Sequence, residues 1–191
     1  MRKAINVIVL VMAIFVIVAG ATFAWFGWNS SNDTETGVGF TVGGLGTCIE
    51  PTTEFLHSPD LVPTTDRSLG YVVTVNLVEN CAAYDFLYAT FTLTPRMLPD
   101  ELKNASFKYE FVKVVNLANV NIQGGTGDFS SAAVDTPITL ATDQVVSGKY
   151  RLFLWIDGNV TDSSGFTPSN MQNQHYLLDL HADVSSGTSG A

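Results

Sequence analysis

YVVTVNLV, residues 71–78, is the stretch on which the fold turns. Tyr71, Val73, Val75 and Leu77 fall on one side of an extended chain, with Thr74 and Asn76 on the other. Successive side chains of a strand point to opposite faces, so a two-residue period describes a strand with one buried face. The pattern recurs on either side of this stretch. Residues 86–94, FLYATFTLT, turn Leu87, Ala89, Phe91 and Leu93 inward, against Tyr88, Thr90 and Thr92. Residues 106–115, SFKYEFVKVV, bury Phe107, Tyr109 and Phe111 and leave Lys108 and Glu110 to water. Residues 149–156, KYRLFLWI, bury Tyr150, Leu152, Leu154 and Ile156. Residues 174–184 bury Tyr176, Leu178, Leu180 and Ala182. Fainter strands are expected over 37–42, 45–50, 120–123 and 137–142, and a helical turn over 98–103, where Pro99 suits a first turn. Gly, Pro, Asn and Asp separate the runs. Roughly eight to ten short strands with turn chemistry between them describe an all-β sandwich, jelly-roll or Ig-like.

The first residues read differently. Arg2 and Lys3 precede an apolar run, and no charged side chain follows until Asp33. As a helix, residues 4–28 are long enough to span a hydrocarbon core of about 30 Å. That length suits both a transmembrane anchor and a cleaved signal peptide, and either sends the remainder across the membrane. The organisation expected is therefore a signal peptide or membrane helix over 1–24, a linker over 25–36, the sandwich over 37–184, and a Gly/Ser tail over 185–191.

All 18 Asp and Glu lie beyond residue 32, with seven of the nine Lys and Arg, a net −11 for that part. Such a charge argues against nucleic acid and anionic lipid headgroups as partners, because both need a basic footprint. It suits an extracellular or cell-surface protein. Cys48 and Cys81 fit one disulfide in an oxidising compartment; the other reading is two buried thiols. Four Asn-x-Ser/Thr sequons, at Asn29, Asn32, Asn104 and Asn159, fall in expected turns and are candidate glycosylation sites.

Catalytic patterns are scarce. His181 stands between Asp179 and Asp183 on one side of the last strand, but i and i+2 neighbours are about 7 Å apart, too far for a compact tetrahedral metal site. Residues 157–162, DGNVTD, place oxygens at alternate positions, yet lack the central Gly and the twelfth-position Glu of a calcium loop, and read as a hairpin turn. GVGFTVGGLG, residues 37–46, has no following Lys-Ser/Thr and opens no helix, so it is no phosphate cradle. No Gly-x-Ser-x-Gly elbow occurs. Neither an enzyme nor a cofactor is expected.

TFAWF, residues 22–26, directly after the apolar run, resembles the junction of TasA and camelysin-like proteins, secreted matrix-fibre subunits of Gram-positive bacteria. LVPTTD, residues 61–66, resembles a turn of that family, with Thr where the family has Gly. YRLFLWID, residues 150–157, resembles a strand near its C-terminus. The resemblance implies a jelly-roll subunit that polymerises with itself outside the cell, as related archaeal filaments do, by donating an N-terminal strand to the next copy. It also implies cleavage by a signal peptidase after Ala24, with Thr22 and Ala24 at the −3 and −1 sites. An ordinary site ending at Ala21 competes. Assembly would then draw on Trp25, Phe26 and Trp28 and on the alternating Val38, Phe40 and Val42. The His spacing gives no support to the proteolysis described for some camelysin-like proteins. The competing reading is a sandwich held by a retained helix whose tryptophans form an interfacial collar and whose faces bind a ligand.

Overall fold

The computed structural model describes residues 36–80, 87–144, 148–160 and 167–186. The chain divides between Glu35 and Thr36, and the unit beginning at Thr36 is built of strands. These are β1 (Gly37–Gly44), β2 (Ile49–Leu56), β3 (Pro63–Thr64), β4 (Tyr71–Glu79), β5 (Leu87–Met97), β6 (Phe107–Val115), β7 (Ala118–Asp128), β8 (Ile138–Gln144), β9 (Gly148–Asp157) and β10 (Leu177–Ser186). One sheet runs β1-β10-β5-β8 and the other β2-β4-β9-β6-β7, with β3 continuing the edge of β9 past the end of β4. Every pairing is antiparallel except β1 on β10 and β3 on β9.

One apolar core joins the two sheets. Val73, Val75 and Leu77 of β4, Tyr150, Leu152 and Leu154 of β9, Leu87, Phe91 and Leu93 of β5, and Leu178 and Leu180 of β10 are all buried in it. These are the inward faces that alternation assigned: one face of each strand meets the partner sheet. At the centre Phe91 lies 4.5 Å from Tyr150 and 4.8 Å from Phe111 between ring centroids.

Three local expectations change. The strand expected over 45–50 is instead a 3₁₀ turn, Gly46–Cys48, followed by β2. Gly44, at φ +62°, begins this crossing from one sheet to the other. Glu110 does not face open water: it is buried on the outer side of β6, where it pairs with Arg67. The Arg67 guanidinium also lies 5.1 Å above the Phe153 ring, which with Val72 and Val112 makes a small second cluster on that face. The helical turn over 98–103 is a single 3₁₀ turn, Asp100–Leu102.

Candidate assembly surface

β1 carries Val38, Phe40 and Val42, and all three pack inward: Val38 is buried, and Phe40 and Val42 are half-buried against the core. The strand holds to the sheet through β10 alone among the described residues, in a parallel ladder from Gly37↔Leu177 to Gly44↔Val184. Side chains reinforce this ladder on the outer face. The Thr41 hydroxyl lies 2.8 Å from His181 Nδ1 and donates to Asp179 at 3.3 Å, and Thr36 Oγ1 lies 2.8 Å from His175 Nδ1. Asp179 also accepts from Arg96. The His181 and Asp179 side chains are thus cross-links between neighbouring strands, and among the described residues no cluster of metal-ligating side chains occurs.

Two glycines let β1 enter and leave. A side chain at Gly37, φ +137°, would press on the Tyr71 hydroxyl, and one at Gly44 would meet the Val184 carbonyl oxygen at 2.2 Å. Tyr71 in turn forms a hydrogen bond with the Val38 backbone; burial raises its hydroxyl pKa and that bond draws it partly back. The first residues of β1 are therefore tied to β4 of the facing sheet as well as to β10.

Comparison with family models, characterised proteins and solved structures finds no match. The arrangement must be read from its own geometry.

The cleavage and anchor residues Ala21, Thr22, Ala24, Trp25, Phe26 and Trp28 lie outside the described residues, as do Asn29, Asn32 and Cys81. Among the described residues no helix is long and apolar enough to cross a membrane. Cys48 is buried and disulfide-bonded. Asn159 is exposed in the turn after β9, its amide donating to Asp157 Oδ1 at 3.0 Å. Asp157 Oδ2 takes Lys108 Nζ at 2.7 Å, which holds the carboxyl pKa below the usual range and occupies the first oxygen of the DGNVTD loop. Asn104 is 0% exposed, and its Oδ1 accepts from the Ser106 amide at 2.8 Å. The folded domain leaves no room for a glycan there. The turn LVPTTD buries Leu61, lends Pro63 and Thr64 to β9, and ends at Asp66, whose carboxylate accepts from the Ser68 amide at 2.9 Å.

Two apolar features escape sequence reasoning because each arises from turns. Val62 and Leu69, both 66% exposed, rim a recess of about 180 Å³ whose floor includes Leu61 and Tyr71. At the β6–β7 tip, Asn116 and Leu117 form a two-residue loop with φ +50° and +67°, and Leu117 is 93% exposed. The dipeptide Asn-Leu between two alternating runs was the available signal, since Asn is favoured at the first position of such a turn.

Proposed function

We propose that the chain is an extracellular structural protein, a subunit of a surface filament or biofilm-matrix fibre that polymerises with itself by β-strand donation. The observation that supports this reading most directly is β1. It follows a long N-terminal segment, pairs with β10 alone among the described residues, and presents alternating apolar side chains to the core. A strand held by one ladder at a sheet edge can be exchanged for the same strand from another copy, because main-chain hydrogen bonds and side-chain pockets are reproduced in trans. In this reading the two-sheet domain is a jelly-roll subunit. A signal peptidase removes the leader after Ala24, and Trp25, Phe26 and Trp28 begin the assembly segment. Cys48 pairs with Cys81, the chain's other cysteine.

A second reading, a membrane-anchored β-sandwich that binds a ligand, draws on a polar recess of about 460 Å³ on the outer face of β2, β4 and β9, lined by Thr52, Glu54, Thr74, Asn76 and Lys149. N-terminal sequencing of the exported protein separates the two. A start at Trp25 or Thr22 agrees with release and assembly, whereas a start at Met1 would sink strand donation. Electron microscopy of a variant lacking residues 25–44 completes the test: filaments as abundant as those of the intact chain would count against donation by this segment.

A further inference from the structure

We propose that Thr41 and Gly43 make the place beside β10 selective for this chain's own β1, Thr41 through its hydroxyl and Gly43 through its missing side chain. The inference deepens the strand-donation reading and rests on it: it names what an acceptor recognises in the donated strand.

The apolar face of β1 does not identify it. Val38, Phe40 and Val42 pack against the core, and any strand with apolar residues at alternate positions offers the same face. A slip of one residue along β10 would turn that face outward, but a slip of two would keep it inward. Selectivity between such strands and registers has to come from the other face.

That outer face presents Gly37, Gly39, Thr41 and Gly43, so a single side chain stands among glycines. β10 sets Asp179, His181 and Asp183 opposite Gly39, Thr41 and Gly43. The Thr41 hydroxyl has one proton, which it gives to Asp179 Oδ1 at 3.3 Å; its oxygen then accepts from His181 Nδ1 at 2.8 Å. This bond holds the far edge of the imidazole over Gly43, where a Cβ would lie 2.8 Å from Nε2 and 2.9 Å from Cε1. Asp179 is oriented independently of β1: Arg96 of β5 reaches its Oδ2 at 3.1 Å and is itself held by Asp135 at 3.0 Å. The acceptor side of the clasp is therefore built from β10 and β5.

Both two-residue slips work against this arrangement. Moved toward the end of β10, β1 would bring Thr41 to the place of Gly43, against the imidazole, and leave Gly39 opposite His181. Moved the other way, it would force Phe40 into the buried place of Val38 and set Gly43 opposite His181, with no hydroxyl to bond it.

The test uses Thr41→Val in the full exported chain, which keeps the branched shape and strand preference and removes the hydroxyl. Exchange of the β1 amides bonded to β10 should accelerate about five- to thirtyfold, the scale of two modest hydrogen bonds, while amides joining β10 to β5 stay unchanged. Thr41→Ser should remain close to the wild type. Gly43→Ala should accelerate the same amides, and much less so in a His181→Ala background, where the ring it would strike is gone. Filaments grown from equal amounts of wild type and Thr41→Val should hold several-fold more wild-type chains. Exchange unmoved by Thr41→Val, or moved equally by Thr41→Ser, would overturn the clasp and leave strand donation standing. Absence of filaments from the wild type would overturn donation, while the exchange rates still decide whether Thr41 holds β1.

Discussion

Phe91 sits where three aromatic rings meet, against Phe111 and Tyr150, with all three fully buried. Truncation there removes transfer energy and leaves a cavity that facing strands cannot close. Phe91→Ala should therefore lower stability by about 3–5 kcal/mol in urea unfolding. These residues were readable from the sequence because period-two alternation marks inward positions regardless of the partner sheet. Polar residues were less readable. Glu110 occupies an outward position, and only the approach of Arg67 from a distant turn buries it. Asp157 is a similar case: its carboxyl pKa is lowered chiefly by Lys108, with burial opposing. A depressed folded-state pKa contributes stability that is present above the unfolded value of about 4 and is lost as pH falls through the lower folded value. Asp157→Asn should flatten that acid limb of the stability profile, at a cost near neutrality of about 1 kcal/mol or less. An unchanged acid limb would show that the Lys108 bond adds nothing to folding.

Strands with one covered face were legible, and strands without one were not. β4, β5, β6, β9 and β10 alternate because a second sheet lies on one side of each. β2 is exposed along Glu50–Leu56 on both faces, so IEPTTEFL carries no period, and the expected strand fell several residues early, on the glycines before it. β1 was legible as a strand, yet nothing in GVGFTVGG announces that it pairs in parallel with the last strand of the domain. That pairing has a kinetic consequence. A single edge ladder opens more readily than a central strand paired on both sides. Hydrogen exchange should therefore find the β1 amides bonded to β10 less protected than those joining β10 to β5; equal protection would count against an exchangeable strand. Gly44→Ala should loosen the end of β1 specifically, since its Cβ would meet the Val184 oxygen at 2.2 Å and its φ is +62°. The expected cost is about 1–3 kcal/mol, with faster exchange confined to this end.

For the whole molecule, composition and the order of runs pointed to an all-β unit after residue 36, because burying alternating faces demands a second layer of the same kind. The proposed assembly surface was legible only as residue types. Alternation nominated Val38, Phe40 and Val42 but could not say which edge they occupy, and the clasp of Thr41 by Asp179 and His181 joins residues far apart in sequence. The disulfide lies between these cases: two cysteines suggested it, and the fold supplies the neighbourhood. β2 and β4 pair from Ile49↔Glu79 onward, and the Asn80 amide donates to the Cys48 carbonyl at 2.9 Å, one residue before Cys81. A bond within one chain would close a loop of about 30 residues and stabilise the domain by roughly 3–4 kcal/mol, mainly by restricting the unfolded state. Cys48→Ser, Cys81→Ser and the double variant should then lose the same stability, and reductant should lower only the wild-type midpoint. A bond between copies would behave otherwise: non-reducing gels would show covalent oligomers that either single variant abolishes. Because strand donation needs no covalent link between subunits, filaments should survive reductant at temperatures where the reduced domain remains folded.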